Sequence, residues 1–277
     1  MGAGTGNRTA FTQGAAPPSQ ITYSDSGIYI INPDGSGRKQ VLTFGQDPTW
    51  SPGGDQIAFS DGTGIKKIKA DGSGVTALTG STYHVKPNWS MSGNNLIVFE
   101  DDNGDPDDYF HSTIDSVNSD GTGLTRLTFD GNEDITPALS PDGTTLAYLS
   151  SSGLGYHIFI TGQQVTFDSS GYPDWSPDGR KIAYAHSGSD TNGGWVIAVM
   201  NADGSGQLNL TTGSPGVYDL RPTWCSMQKI VFASNRTSSS GYQIYMMDAT
   251  GANQTQISNT VLANPTPACS RCPRFDN

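Results

Sequence analysis

The stretch Pro173-Asp174-Trp175-Ser176-Pro177-Asp178-Gly179-Arg180-Lys181-Ile182-Ala183-Tyr184 decides the fold, because the chain writes it repeatedly. Pro48-Thr49-Trp50-Ser51-Pro52-Gly53-Gly54 leads into Ile57-Ala58-Phe59, and Pro137-Ala138-Leu139-Ser140-Pro141-Asp142-Gly143 leads into Leu146-Ala147-Tyr148. Shorter copies stand at Pro87-Asn88-Trp89 and Pro222-Thr223-Trp224, and a degenerate one lies near Pro267 to Cys269. A second signature, Asp-Gly-Ser/Thr-Gly, occupies residues 34–37, 71–74, 120–123 and 203–206. Both are hairpin turns: Pro presets φ, Asp bonds its own backbone, and Gly accepts positive φ. Self-similarity of this kind fixes architecture before any finer reading.

Each repeat holds four short strand candidates bounded by turn residues, as an antiparallel meander requires. Strand A is the Pro-x-Trp segment, and strand B is the apolar run that ends in Tyr or Phe, at 57–59, 96–99, 146–148, 182–184 and 230–232. Strand C precedes the second turn, and strand D precedes a Thr or Ser, at 41–43, 77–79, 126–128, 165–166, 209–211 and 256–258. The last strand A has almost no chain after it. Its missing strand B appears at the other end, in Ile21-Thr22-Tyr23-Ser24, followed by strands C and D. The count predicts an all-β, six-bladed β-propeller of four-stranded antiparallel blades. The N-terminal strands join the C-terminal strand and close the ring, so no blade edge stays unpaired. Residues 1–20 read as a flexible leader without a signal peptide, and 21–277 as one propeller domain.

The motifs Ile-Tyr-x-x-Asn-x-Asp-Gly-Ser-Gly, Leu-Thr and Pro-x-Trp-Ser-Pro-Asp-Gly-x-x-Ile-Ala-Tyr resemble the WD40-like (PD40) repeats of TolB-type propellers, across nearly the whole chain from Ile21 onward. The resemblance implies a fold used by periplasmic scaffold proteins, peptidase propeller domains and polysaccharide lyases, so it leaves function open. The chain departs from the pattern at Thr161-Gly162, which replaces an Asp-Gly turn. It departs again at Cys225-Ser226-Met227-Gln228 in place of Pro-Asp-Gly, and at Cys269 in a Trp slot. Arg236 resembles a recurrent Arg after strand B, which implies a structural role.

The net charge is −11, and the 15 basic residues form no cluster, which argues against nucleic acid. No run of 18 apolar residues exists, so no membrane insertion is expected. Neither a Gly-x-Ser-x-Gly elbow, a His-Glu-x-x-His helix nor a phosphate loop is present.

In a propeller the A–B and C–D turns share one face, and here they are short and uniform. The D–A and B–C connections share the other face, and they vary in length, which is where a repeat scaffold places recognition. His84, His111, His157 and His186 all map there, with Tyr83, Tyr109, Tyr172 and Tyr218 in mid-loop. Aromatic faces with polar tips suit peptides and sugars, although aromatics at strand entrances also serve simply to pack blades. The residue before each strand-A Pro should stand at the mouth of the central channel: Asp47, Lys86, Thr136, Tyr172, Arg221 and either Asn264 or Thr266. Such a ring is either a ligand site or a solvated funnel.

Asp101, Asn103, Asp105 and Asp107 alternate like the first half of a calcium loop, making calcium the one cofactor suggested. Pro106 and Ser112 depart from an EF-hand, and a solvated acidic loop is the alternative. For the cysteines, a disulfide from Cys272 to Cys269 or to Cys225 would tie the closure; otherwise Cys269 is a small apolar stand-in for Trp. These readings combine into a monomeric, non-catalytic, periplasmic or secreted binding propeller that recognises a protein segment or glycan. The alternative is a metal-assisted polysaccharide lyase, which requires His84, His157 and His186 to converge.

Overall fold

The computed structural model describes residues 20–92, 95–102, 111–152 and 155–270. Its strands form six four-stranded sheets, each antiparallel throughout. In blade 1, strands A to D are Gln46–Trp50, Gln56–Ser60, Ile65–Lys69 and Thr76–Ala77. Blades 2 to 5 open with strand A at His84–Trp89, Asp134–Leu139, Ser169–Trp175 and Asp219–Ser226. Blade 6 is assembled from both ends of the chain: strand A is Ala268–Cys269, and B to D are Ile21–Ser24, Ile28–Ile31 and Lys39–Leu42. Ile21 pairs with Cys269 and Thr22 with Ala268, and Ser270 N donates to Gln20 O at 2.7 Å. This is the predicted closure.

The repeated motifs are repeated hydrogen bonds. In the C–D turn, Asp34 Oδ1 accepts from Ser36 N (2.9 Å) and Ser36 Oγ (2.6 Å), and Gly35 holds φ at 82°, which a side chain would strain. Asp71, Asp120 and Asp203 cap their turns likewise, and these bonds hold their carboxyls below the usual range. In the A–B turn the buried hydroxyls of Ser140 and Ser176 donate to Asp142 and Asp178 and accept from Thr145 N and Lys181 N. The Leu-Thr motif ends strand D. Thr79, Thr128, Thr166, Thr211 and Ser258 each accept through the side-chain oxygen from the N–H of an Ile in strand C, at 2.8 to 3.0 Å. A hydroxyl thus replaces the backbone partner as the outer strand peels away. For that reason strand D stops short of the Thr, at Thr76–Ala77 where 77–79 was expected.

Trp50, Trp89, Trp175 and Trp224 are buried between successive blades. Trp224 packs among Ala183, Ile197 and Val199 of blade 4 and Ile230 and Phe232 of its own blade; truncating such a side chain costs about 3–5 kcal/mol. In blades 1 to 4 the residue before the Trp-slot residue stitches its blade to the next. Thr49 Oγ1 accepts from Trp89 N, Asn88 Oδ1 from Leu139 N, Ala138 O from Trp175 Nε1, and Asp174 Oδ2 from Trp224 N. Arg236 is a hub in blade 5, donating to Asp219 and Ser234 and lying over Phe232 and Tyr245.

Blade 6 has Cys269 where a Trp would stand, and a disulfide does the joining there. The bond runs between Cys225 and Cys269, with Cα atoms 4.9 Å apart. This corrects the pairings expected through Cys272, which lies outside the described residues. Cys225 follows the Trp of blade 5, and its neighbour strand carries Cys269 at the same height, so the two innermost strands face each other directly. Closing a 44-residue span stabilises by about 4 kcal/mol in the chain-entropy account.

One buried group breaks the pattern. Asp134 opens strand A of blade 3 as Asp219 does in blade 5, pairing with Ser150 as Asp219 pairs with Ser234. Two residues on, blade 5 carries Arg236 and blade 3 carries Ser152, so Asp134 lacks the guanidinium. Asp134 is 1% exposed, and neither carboxylate oxygen has a hydrogen-bond partner among the described residues. Burial pushes its pKa up to about 6, against the pull of the nearby Ser150 and Thr128 hydroxyls and with a smaller push from the charge of Asp130. A carboxyl raised above its unfolded value destabilises the fold once ionised, so the penalty appears as pH climbs from about 4 and is complete above about 6. Asp134→Asn should therefore be more stable than wild type at pH 8 by on the order of 1–2 kcal/mol, with the gap gone near pH 4, as read by urea unfolding across pH.

Removing residues 1–24 takes strand B out of blade 6 and should abolish cooperative unfolding, whereas removing 1–18 should not. A cooperatively folded protein lacking residues 1–24, seen by calorimetry, would contradict the closure.

Candidate functional site

The six A strands surround a central channel of about 950 Å³, counting its open mouth. Asp47, Lys86, Thr136, Tyr172, Arg221 and Thr266 line it, which settles the sixth place on Thr266 rather than the exposed Asn264. The proline that follows each of the first five explains how they get there. Proline has no N–H to give the ladder, and the register slips at that point: between Gln46 and Thr49, Val85 and Asn88, Ile135 and Ala138, Gly171 and Asp174, and Leu220 and Thr223. Within each bulge the residue before the Pro adopts positive φ: 50° at Asp47, 48° at Lys86, 49° at Thr136, 56° at Tyr172 and 56° at Arg221. Such angles are uncommon outside glycine and cost about 1–3 kcal/mol each. The strain re-aims these side chains from the sheet face toward the channel.

The ring is wired into two arcs. In one, Arg221 Nη1 donates to Thr266 Oγ1 (2.6 Å), Thr266 Oγ1 donates to Asp47 Oδ1 (2.8 Å), and the Arg221 guanidinium lies 5.1 Å from the Tyr172 ring centroid. In the other, Lys86 Nζ donates to both oxygens of Glu100 at 2.9 Å, and Glu100 Oε2 also accepts from Thr136 N at 2.9 Å. Glu100 is buried, and burial pushes its carboxyl up to about 7 against the opposing pull of Lys86. Burial alone would lower Lys86, but the Glu100 charge, aided by Asp47 and Asp102, raises it overall. The mouth thus offers two cations, the Asp47 carboxylate and an aromatic face within one concave surface, with buried Glu100 behind Lys86.

Glu100 was not singled out in the sequence, although a signal existed. The residue after the strand-B aromatic is Ser24, Ser60, Leu149, Ala185 or Ala233 in the other repeats and a charge only here.

The remaining expected residues spread over the variable face. Tyr83 and Tyr218 are exposed there. His84 is buried against Phe99, with Nε2 3.6 Å from Asp101 Oδ2, so it is turned away from solvent. His111 is half-buried beside the start of strand C in blade 2, Thr113–Asn118. His157 Nδ1 meets the carbonyl of Asp168 at 3.2 Å, and His186 is buried with Nε2 on Asn209 Oδ1. His84, His157 and His186 do not share one ligand set: among the described residues, the group with metal-ligand spacing is Asp168, His186 and Asp190. Of the calcium-like stretch, Asp101 ends strand B of blade 2, while Asn103, Asp105 and Asp107, like Tyr109, lie outside the described residues.

No family model matches the chain. Over 142 residues, 48% of the chain, it is 32% identical to the TolB homologue of Chlorobium luteolum, and the match spans 30% of that protein. The chain therefore covers under a third of this curated relative. Among solved structures, TolB from Acinetobacter baumannii superposes with a TM-score of 0.74 at 19% identity, over 91% of this chain and 67% of that one. A chain of the nidogen/laminin complex gives 0.69 at 13% identity, over 92% and 100%. At these identities the likeness is one of fold. Six blades, a ring closed by both termini and the repeated turn chemistry make the chain a six-bladed β-propeller with a fold like that of TolB.

Proposed function

We propose that this is a non-catalytic, extracytoplasmic binding propeller that takes an extended protein segment over the channel mouth on its variable face. The observation that carries the reading is the set of five non-glycine residues held at positive φ around one pocket. Glycine would relieve that strain, yet the chain keeps Asp, Lys, Thr, Tyr and Arg, and strain retained at a site points toward function. The mixed charges suit the alternating donors and acceptors of a peptide, and Tyr172 and Arg221 are the residue types that anchor interfaces. An oxidising compartment suits the Cys225–Cys269 disulfide. Likeness to TolB proteins supports both the protein partner and the periplasmic or secreted location. The charged ring of Asp47, Lys86 and Arg221 favours a protein segment over a glycan in this reading.

Panning a peptide library on wild type and on a Tyr172→Ala/Arg221→Ala variant tests the proposal. Selected peptides should lose about 1–3 kcal/mol of affinity for the variant, with its cooperative unfolding intact. Peptides that bind both proteins equally, or that map to the Asp-Gly-Ser-Gly turns, would refute it; so would hits confined to a glycan array.

A further inference from the structure

We propose that Asp168, His186 and Asp190 form a binding site for a divalent first-row transition cation of the zinc class, on the variable face between blades 3 and 4. One potential ligand atom from each lies within 4.8 Å of the other two. They arrive from separate stretches. Asp168 is in the connection that enters strand A of blade 4, His186 sits near the end of strand B (Lys181–Ser187), and Asp190 is in the loop that follows. No hydrogen bond or ion pair joins the three side chains directly, so two carboxylates and an imidazole surround a gap.

The surroundings are built to hold this arrangement. Asn209 Nδ2 donates to Asp190 Oδ2 at 2.9 Å, and Asn209 Oδ1 faces His186 Nε2 at 2.7 Å. A carboxylate accepts only, which fixes the amide orientation and makes Nε2 the protonated, donating nitrogen. The neutral ring then carries its lone pair on Nδ1, and metal-ligating histidines are characteristically oriented by such a bond from the other nitrogen. His186 is 6% exposed and packs 5.6 Å from the Tyr184 ring, so its direction is fixed. Gly188 needs no unusual φ, but a Cβ there would meet Asp168 Oδ2 at 2.7 Å. Its missing side chain makes room for the carboxylate. The loop is pinned behind the site by buried Thr191, whose Oγ1 donates to Gly188 O at 2.9 Å.

The donor set selects the ion. Calcium and magnesium prefer all-oxygen shells, whereas imidazole with carboxylates suits zinc and its neighbours. Bonds of about 2.0–2.2 Å bridge the gap after a small inward rotation of the two exposed aspartates, and a 2+ ion neutralises both. Three protein ligands leave a position open to solvent.

Isothermal titration of metal-stripped full-length protein with zinc chloride, and with cobalt chloride followed by visible absorption, tests the site. One equivalent should bind in the micromolar range, with cobalt giving the d–d bands of a low-coordinate nitrogen and oxygen site. Asp168→Asn and His186→Ala should each weaken binding at least tenfold, Asn209→Ala by about tenfold, and His84→Ala should change nothing. Asp168 is exposed, so its variant separates lost binding from lost folding. Wild type and Asp168→Asn binding zinc alike, no binding below 100 µM, or loss of binding in His84→Ala would overturn the proposal.

Discussion

The last blade depends on two backbone pairings, Ile21 with Cys269 and Thr22 with Ala268, and on the disulfide beside them. A propeller blade buries one face against each neighbour, so an open ring would leave two such faces wet. Here the strand that closes it is the shortest of the A strands: strand A of blade 6 has two residues, and its Trp slot holds a cysteine. The covalent link to Cys225 compensates by tying that short strand to strand A of blade 5, which spans Asp219–Ser226.

The same strands that close the ring also build the candidate site. Proline interrupts the innermost ladder at one place per blade, and the bulge that follows turns the preceding side chain toward the channel. In five blades that backbone is strained. The strain persists because each bulge is bracketed by a packed Trp-slot residue and by hydrogen bonds to the next blade, made in blade 5 by Arg221 to Thr266, which over-determine it. The architecture therefore fixes where the ring residues point, while their identities stay free to vary for recognition.

The fold was legible because its signals are local. Asp34-Gly35-Ser36-Gly37 closes its own turn, and the strand count needs no knowledge of contacts. The channel ring was legible for a related reason: the position before the proline is geometrically equivalent in every repeat. Its wiring was not. Glu100 reaches Thr136 from another blade, and Arg221 reaches Thr266 across 45 residues, so these pairs depend on how blades stack. The cysteine pairing was missed for the same reason, since Cys225 and Cys269 meet only when blades 5 and 6 stack. Nor does the sequence reveal that His84 turns inward onto Phe99 while Asn209 orients His186.

Native-state amide exchange tests the ring closure most directly. The account predicts that amides of Ile21–Ser24 are protected to the same free energy as those of strand B in blade 4, Lys181–Ser187, because both open only when the whole ring unfolds. Exchange of Ile21–Ser24 at the rate of a frayed terminus, with the other blades still fully protected, would contradict it.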